Sequence, residues 1–335
     1  MNAPERAAVV GVGYFVPPII RTNDDPIFSW LKQHQAPGQD LFRGYRERRI
    51  LACPDSLCDL PKTLADLMVP AANQAMRSAG VGPSEIDVLL GDASVSEYYT
   101  PNALADIHRR LRLPASTWIV PINLMANFNT SLLVADSLVK TGRCRNALIV
   151  CGCNWTRYVS YRTPQSISAA DGAGAAVVAR TTGSAAFAVV DAETIAETAD
   201  YGSMYLAGDP NRTADGICFS PPYYHITNAG LTDFQTFGEK SPPEAVHRLL
   251  RRNGVEASQV CLISHQASRV LLDAWRDAIR PGQYLETLEQ FANMVAANVP
   301  VNLAYHLDRI EKNNLVLLAV GPEFMASAVL LRRGV

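Results

Sequence analysis

Apolar runs of strand length alternate with helical segments along the chain, in two rounds of similar length. The first round starts with a strand predicted at 7–14, contains a basic loop at 43–50 and ends with a strand at 175–179. The second starts with a strand at 185–190 and contains a long segment of weak periodicity at 198–240, a helix predicted at 243–253 and a strand at 260–264. Strands that alternate with helices are typical of layered α/β folds. The two rounds predict a duplicated architecture with halves at residues 1–182 and 183–335. Because the linker at 181–184 is short, we expect the halves to pack tightly together.

A strand–turn–helix segment at residues 119–138 is a candidate catalytic platform. Its apolar strand breaks at 123–127 and then continues as a helix. The free N–H groups and the positive dipole end at a helix N-terminus stabilise an anion or a thiolate. A nucleophile is therefore expected at the turn, but the residue there is Ala126.

Composition and charge argue against several classes of protein. The chain has 335 residues, 48% of them hydrophobic, which is enough for one large core or two modest ones. A formal charge of −2, without blocks of like charge, argues against nucleic acid or an anionic membrane as the main partner. No apolar run reaches the roughly 18 residues of a spanning helix, and residues 1–5 do not resemble a signal peptide.

The cysteines predict a reduced, cytoplasmic protein without a metal site. Seven cysteines, an odd number, are scattered through the chain. This usage is typical of cytosolic thiols rather than of a disulfide framework. Cys151 and Cys153 end an apolar run, and no second Cys/His pair lies at a metal-ligand spacing, so we interpret them as buried structural thiols.

Two polar residues of the second half are candidates for acyl-transfer chemistry. His265 follows an apolar strand, and Asn293 lies in a turn of small residues. Both side chains can donate hydrogen bonds to one thioester oxygen, the electrostatic stabilisation on which acyl-transfer sites rely. The glycine-rich residues 171–174 lack the lysine of a P-loop and the spacing of a dinucleotide fingerprint. We therefore predict a tight backbone turn there, beside the site.

Six segments form a series along the chain: GVGYFVPPIIRTNDD (11–25), GYRERRI (44–50), PINLMANF (121–128), ADGAGAAVV (170–178), SHQAS (264–268) and FANMVAANVP (291–300). In this order they resemble the N-terminal strand and loop and the T-G-I-x-E-R-R, D-x-N-A-A-C-x-G, F-G-D-G-A-G-A, H-Q-A-N and Y-G-N-T-S-A-A-S-x-P segments of β-ketoacyl-acyl-carrier-protein synthase III (KAS III), in the thiolase superfamily. The resemblance covers essentially the whole chain. It implies a five-layered αβαβα fold of two duplicated halves, usually dimeric, with the active site between the halves.

The departures from the family pattern fall on the chemistry. Aligned through Asn123, the family's nucleophilic cysteine falls on Ala126, and a methyl group cannot carry an acyl chain. The family's Gly-Gly-Gly turn gives a backbone N–H to the oxyanion hole, whereas the corresponding turn here contains Pro322, which has no N–H. Met294 replaces the first residue of a small polar pair, and Phe128 replaces a small residue, which would change the acyl pocket.

The resemblance also implies a carrier for the substrate and residues that contact it. An acyl group would enter on coenzyme A or on the phosphopantetheine arm of an acyl carrier protein, with no metal or redox cofactor. Candidates for contacting the phosphates or an acidic carrier protein are Arg43, Arg46, Arg48, Arg49 and Arg269, although a basic loop is also an ordinary solvated surface. Tyr99, beside Tyr98, lies where the family's dimer-crossing loop lines the partner's acyl pocket, although loop tyrosines are as often simple packing. Phe128 and Met294 are the other candidate pocket residues.

Ala126 leaves alternatives open. Either the natural protein has cysteine there and it was replaced to trap an acyl substrate, or the protein is naturally divergent, as Pro322 and Met294 suggest. A diverged protein could decarboxylate malonyl thioesters with His265 and Asn293 alone. It could also move an acyl group directly between two bound substrates, or complete a partner's site without catalysing a reaction.

The sequence therefore predicts a KAS III-like condensing enzyme or acyltransferase of specialised, polyketide-like or fatty-acid-like metabolism. With Ala126 in place, such an enzyme could be inactive or could only decarboxylate its substrate. The alternative is a non-catalytic subunit in a heterodimer with a cysteine-bearing paralogue, in place of the usual homodimer. A thiolase or hydroxymethylglutaryl synthase relative is disfavoured. Thiolases use a second cysteine near the C-terminus, and the last cysteine here, Cys261, precedes His265. Carbon–carbon, ester and amide bond formation are all compatible with the sequence.

Overall fold

A mixed β-sheet of ten strands organises the structure, a computed structural model. The structure describes residues 6–51, 63–94, 96, 98, 100–123, 126–181, 183, 186–208, 210–213, 216–219 and 223–334. Within these ranges the strands are β1 Arg6–Phe15, β2 Ile19–Thr22, β3 Glu47–Ile50, β4 Val88–Ser94, β5 Trp118–Pro121, β6 Asn146–Cys153, β7 Gly172–Thr181, β8 Phe187–Ala196, β9 Met204–Ala207, β10 Pro210–Thr213, β11 Gly216–Phe219, β12 Tyr223–Ile226, β13 Val260–Ser264, β14 Gln283–Leu285, β15 Asn314–Gly321 and β16 Met325–Arg333. The helices are α1 Ser29–His34, α2 Leu64–Ala79, α3 Leu104–Leu111, α4 Asn127–Lys140, α5 Asn228–Arg252, α6 Arg269–Ile279, α7 Leu288–Phe291 and α8 Asn298–His306.

The large sheet consists of two five-stranded halves with the same topology. The first half has the order β5-β4-β6-β7-β1, and the second has the order β14-β13-β15-β16-β8. In each half, two parallel pairs are followed by two antiparallel pairs. The halves join through a short β1–β8 contact, in which Ala8 and Val9 pair with Ala188 and Phe187. The duplication predicted from the sequence is confirmed, and the boundary at 182/183, which falls between β7 and β8, stays a prediction.

Three apolar cores define the five layers. One core lies between the outer helices α2 and α3 and the first half of the sheet, and another between α5 and α6 and the second half. The largest core lies between the two halves of the sheet and contains the central helices α4 and α8. This is the αβαβα arrangement expected from the sequence.

The layers explain why the central strands read as continuous apolar runs. In β6, Ala147, Ile149 and Cys151 belong to the central core, whereas Leu148 and Val150 belong to the core beneath α2. Successive side chains of a strand point to opposite faces. Because both faces of the sheet are covered, both sets of side chains must be apolar.

Two predicted boundaries were wrong. The glycine-rich residues 172–174 are not a tight turn but the start of β7, where a Cβ on Gly174 would lie 2.6 Å from the backbone nitrogen of Val301 in α8. The helix predicted from Pro243 starts at Asn228 and continues through the proline pair. Because Pro242 has no N–H for the carbonyl of Gly238, the indole of Trp275 donates to that oxygen instead, at 2.6 Å.

The basic segment at 43–50, predicted as a loop, ends as strand β3, which pairs with β2. The long segment at 198–240 contains two hairpins, β9–β12 and β10–β11, before α5 begins. Among the described helices, none is long and apolar enough to cross a membrane.

Candidate active site

A cavity of about 1040 Å³ lies between the two halves, where the carboxyl ends of β4, β6, β13 and β15 meet. Its volume is at the upper end of the roughly 300–1,000 Å³ typical of small-molecule sites. The hairpin β9–β12 and the start of α5 supply a largely apolar part of its wall: Met204, Leu206, Tyr224, Ile226, Leu231 and Phe234. This part of the wall was not predicted, because the segment that forms it has only weak periodicity.

His265 follows β13 directly and is on the cavity wall. Its backbone N–H donates to the carbonyl of Leu318 at 2.8 Å, which fixes the chain beside β15. The residue is only 7% exposed, and burial lowers the pKa of the imidazole to about 4. The ring is therefore neutral near pH 7, so that one nitrogen donates and the other accepts.

Asn298, the first residue of α8, determines which nitrogen carries the proton. Its Oδ1 accepts from the backbone N–H of Met294 at 2.7 Å, so its Nδ2 must face the other way. Nδ2 lies 3.2 Å from Nδ1 of His265 and 2.7 Å from Oδ1 of Asn293. An amide nitrogen is only a donor. Nδ1 of His265 must therefore accept, and the ring proton is on Nε2.

Asn293 is oriented in the same way. Its Oδ1 also accepts from the backbone N–H of Val295 at 2.8 Å, which leaves Nδ2 as the outward group. Its backbone carbonyl accepts from the indole of Trp155 at 2.8 Å. Because Asn293 and His265 are on the same cavity wall, the site presents two neutral N–H donors. Such a pair suits an oxygen that gains negative charge.

Asn298 is a positioning residue that the sequence reading missed. The signal was present, because the family segment Y-G-N-T-S-A-A-S-x-P has serine where this chain has Asn298. An isolated asparagine at a helix start is usually a cap, and only the fold shows that it joins two other polar side chains.

Ala126 lies at the start of α4, as expected for the nucleophile position. It is the residue immediately before the first helical residue, Asn127, and it is fully buried in the central core. Residues 124–125 are outside the described part of the chain. Pro322 is on the cavity wall at the turn between β15 and β16, where it offers no backbone N–H.

Among the described residues of the cavity wall, the one cysteine is Cys153, and its environment does not favour a thiolate. Burial raises the pKa of its thiol well above the ordinary value. Cys144, Cys151 and Cys261 are also free and buried, and burial raises the pKa of each. Since the thiolate is the nucleophilic form, none of these four compensates for Ala126. Within the described residues, no group of three or more His, Cys, Asp or Glu side chains could hold a metal ion.

Asp92 and Ser94, at the end of β4, form a polar patch on the cavity wall. The hydroxyl of Ser94 and the amide Nδ2 of Asn127 both donate to Oδ2 of Asp92, the latter at 3.1 Å. Burial raises the pKa of Asp92 to about 6. Sequence reasoning missed this patch, because a single acidic residue at a strand end carries no pattern.

Asp171 is a contrasting buried carboxylate. It accepts from the backbone N–H of Leu51 at 2.6 Å and from both the N–H and the hydroxyl of Thr156, at 3.1 and 2.5 Å. It is fully buried and is not among the described residues that line the cavity. Asp171 therefore holds segments together instead of meeting a ligand.

Arg43 and Arg269, two of the candidate arginines, already form ion pairs within the chain. Arg43 is exposed and lies 3.4 Å from Asp273, and Arg269 is 2.7 Å from Glu286. Arg48 is not available to a phosphate: it is fully buried, and its guanidinium lies over the rings of Phe28, Phe42 and Tyr45. Contacts of Arg43 and Arg269 with a substrate stay predictions.

Two of the three predicted pocket residues, Phe128 and Met294, are not among the described residues of the cavity wall. Phe128 is buried in the central core. Met294 is buried in a separate cluster and packs so closely on Gly172 that a Cβ there would lie 2.5 Å from its sulfur. Tyr99 lies outside the described residues, whereas its neighbour Tyr98 is exposed and lines the cavity.

Five layers with a cavity between duplicated halves define the class of protein, the thiolase fold. The structure is similar to the priming β-ketosynthase from the R1128 polyketide biosynthetic pathway (TM-score 0.79, 21% identity, 100% and 99% of the two chains covered). It is also similar to Xanthomonas campestris OleA with bound cerulenin (TM-score 0.80, 18% identity, 98% and 97% covered).

Sequence comparison finds similarity to one family. The family models described as 3-oxoacyl-[acyl-carrier-protein (ACP)] synthase III and its C-terminal part match residues 123–202 and 250–333. β-Ketoacyl-[acyl-carrier-protein] synthase III of Coxiella burnetii (strain Dugway 5J108-111) is 25% identical over 340 residues, covering 97% of this chain and 99% of the relative. The chain is therefore KAS III-like in sequence and has the thiolase fold.

We predict that His265 carries its proton on Nε2. Long-range ¹H–¹⁵N spectra at neutral pH should show one neutral tautomer, and the ring should titrate with a pKa of about 4. Asn298→Ala removes the donor to Nδ1, so we expect a mixture of tautomers. Asn302→Ala is the matched control, because this buried amide on the same helix donates to the carbonyl of Leu285 instead. A proton on Nδ1 in the unmodified protein would contradict the assignment.

Proposed function

We propose that the chain is a KAS III-like enzyme that acts on acyl thioesters and transfers an acyl or enolate group without a cysteine-bound intermediate. The observation that carries the proposal is the oriented donor pair of His265 and Asn293, on the wall of a large cavity. Nε2–H of the imidazole and Nδ2–H of the amide would polarise the carbonyl of a bound thioester. Ala126 removes covalent storage of the acyl group but leaves this pair intact.

The donor pair suits a malonyl thioester in particular. When the terminal carboxylate leaves as carbon dioxide, its bonding electrons pass to the thioester, which becomes an enolate. The negative charge then lies on the thioester oxygen, between the two N–H donors. The enolate can take a proton or attack a second acyl thioester in the same cavity. A neutral His265 donates without adding a proton that would quench the enolate.

The carrier of the acyl group is proposed to be coenzyme A or an acyl carrier protein. The relatives in the comparison are named β-ketoacyl-[acyl-carrier-protein] synthase III, and Arg43 is an exposed cation on the segment expected to meet the carrier. The apolar wall suits an acyl chain more than a polar acceptor. The scattered thiols favour a reducing cytoplasm.

The altered positions favour specialised metabolism over the initiation of fatty acid synthesis. An initiating enzyme depends on an acyl-cysteine and on a full oxyanion hole, and this chain has Ala126 and Pro322 at those positions. One structural neighbour is itself a priming ketosynthase of a polyketide pathway.

A homodimer is proposed through β5. This strand is at the end of the sheet order, with Trp118 and Ile119 exposed by 55% and 40%. An exposed apolar edge strand offers unpaired N–H and C=O groups to another chain. Because β5 leads into the segment before Ala126, such a partner would lie close to the site.

A second candidate function is a non-catalytic subunit that pairs with a cysteine-bearing paralogue. Ala126 and Pro322 favour it, since both remove parts of the acyl-transfer machinery. It predicts no turnover by the chain alone.

We predict that the chain alone decarboxylates malonyl-CoA. His265→Ala and Asn293→Ala should each lower the rate about 10²- to 10³-fold, because each removes one donor to the developing oxyanion. The measurement is chromatography of acetyl-CoA formed from malonyl-CoA. His34→Ala, an exposed histidine stacked on Trp30, is the control and should stay within about twofold. An unmodified chain that neither decarboxylates malonyl-CoA nor transfers an acyl group would leave the partner-subunit function as the better account.

We predict that Ala126→Cys restores covalent capture. Intact-protein mass spectrometry after incubation with octanoyl-CoA should show one octanoyl adduct on this variant and none on the unmodified chain. The new thiol would lie at the N-terminus of α4, where the helix dipole favours a thiolate. Ala135→Cys, also buried on α4, places a thiol in the core and should stay unmodified. An equal adduct on Cys153 in both forms, located by peptide mapping, would contradict the prediction.

We predict a dimer that Ile119→Lys disrupts. The added charge would be buried against the partner strand, so the dissociation constant should rise at least about tenfold, or 1.4 kcal/mol. Sedimentation velocity measures the change. Ile20→Lys is the matched control, because Ile20 is 47% exposed on β2, away from this edge. A monomeric unmodified protein would rule out the proposed interface.

A further inference from the structure

Asp92 is a buried acid on the wall of the proposed catalytic cavity. It is 3% exposed, near the carboxyl end of β4, and it pairs across the sheet with Cys151 of β6. The cavity that it lines is the one lined by His265 and Asn293. β4 also packs against the short turn at 295–297, which follows Asn293.

The contacts of Asp92 connect it to the nucleophile position. Asn127, the residue after Ala126, donates to its Oδ2 at 3.1 Å, and the hydroxyl of Ser94 donates to the same oxygen. Oδ1 therefore has no side-chain donor among the described residues. The backbone N–H of Ala93 also hydrogen-bonds to the carboxyl group. These three bonds fix the carboxylate in one orientation, and because a carboxylate has about four lone-pair sites, it can still accept a proton.

The surroundings of Asp92 bring its pKa close to neutral pH. Burial and the nearby acid Glu323, in the turn before β16, raise the pKa of Asp92 to about 6, while hydrogen bonds from Ser94, Asn127 and the backbone of Ala93 oppose the rise. The thiols of Cys151 and Cys153 are the other titratable groups that interact with it. No described lysine or arginine forms an ion pair with it. A buried carboxylate without a cation is costly, and such groups cluster at functional sites.

The comparison with Asp171 separates a structural role from a chemical one. Asp171 has a similarly raised pKa, about 6, and it also accepts three hydrogen bonds, but it is not on the described cavity wall. Asp92 is on that wall, which His265 and Asn293 also line.

We propose that Asp92 is the general base of a direct acyl transfer, which accepts the proton of a hydroxyl or amine acceptor while the acceptor attacks the thioester held by His265 and Asn293. The inference rests on the proposed function and names its acceptor class. It also gives a reason for the absence of a cysteine: the acceptor takes the place that an enzyme nucleophile would occupy.

The reaction is balanced without a further reagent. The oxygen or nitrogen of the acceptor forms a bond to the acyl carbon, and its proton moves to Asp92. The carbonyl oxygen carries the negative charge between the two N–H donors. The carbon–sulfur bond then breaks, and the leaving thiolate takes the proton back from Asp92. An acyl thioester and an alcohol or amine thus give an ester or amide and a free thiol.

The test uses octanoyl-CoA with butan-1-ol, an acceptor that does not titrate in the range studied. Chromatography measures coenzyme A and butyl octanoate from about pH 5 to about pH 8, a range that spans the pKa of about 6 for Asp92. The rate should rise with pH through this pKa, because the carboxylate is the active form. Asp92→Asn should lower the rate about 10²- to 10⁴-fold and remove the pH dependence.

Two controls separate chemistry from folding. Asp136→Asn removes another buried carboxylate, bound to Lys140 on the outer part of α4, and should stay within about twofold of the unmodified chain. The Asp92→Asn variant should keep the Nε2–H signal of His265 if it is folded. If the Asp92→Asn variant loses this signal, the Asp92→Glu variant takes its place, because it keeps a carboxylate base. Its rate of ester formation should still rise with pH.

The outcomes are distinct. An Asp92→Asn variant that forms butyl octanoate at the unmodified rate overturns the inference and leaves the proposed function standing. So does an unmodified chain that decarboxylates malonyl-CoA but forms no ester with butan-1-ol and no amide with ethanolamine. An unmodified chain that neither decarboxylates nor transfers overturns the proposed function, and the inference with it.

Discussion

The candidate site depends on one side chain, the amide of Asn298. Its oxygen is held by the backbone N–H of Met294, and its nitrogen therefore faces both Nδ1 of His265 and Oδ1 of Asn293. This interaction requires the imidazole to carry its proton on Nε2 and the amide of Asn293 to present its nitrogen. Without it, the ring could present a lone pair in place of a donor, and the site would repel the charge that it is arranged to stabilise.

The duplicated sheet places side chains from its two halves around one cavity. His265 follows β13 of the second half, while Asp92 is near the end of β4, the corresponding strand of the first half. The central helices α4 and α8 begin at this same level, with Ala126 before one and Asn298 at the start of the other. A donor pair from one half thus shares a cavity with a carboxylate from the other, and this is the arrangement on which both proposals rely.

Much of the fold was predictable, because strands buried on both faces must be apolar throughout. β13 was predicted with its observed limits, at 260–264, and β1 to within a residue at each end. The start of α5 was not predictable, because Trp275 satisfies a carbonyl that Pro242 leaves free, and this bond joins two separate helices. The glycines of β7 were mistaken for a turn for a similar reason. Their role is close packing against α8, which local sequence does not reveal.

The sequence by itself determined the layered α/β fold, its duplication, the resemblance to KAS III and the alanine at the nucleophile position. Periodicity and motifs are local properties of the chain, so these features can be recognised from the sequence alone. Only the tertiary structure decided that Asn298 orients His265, that Arg48 is buried under aromatic rings and that Asp92 faces the cavity. Hydrogen-bond direction, burial and proton affinity depend on groups that are distant in sequence, and folding alone brings those groups together.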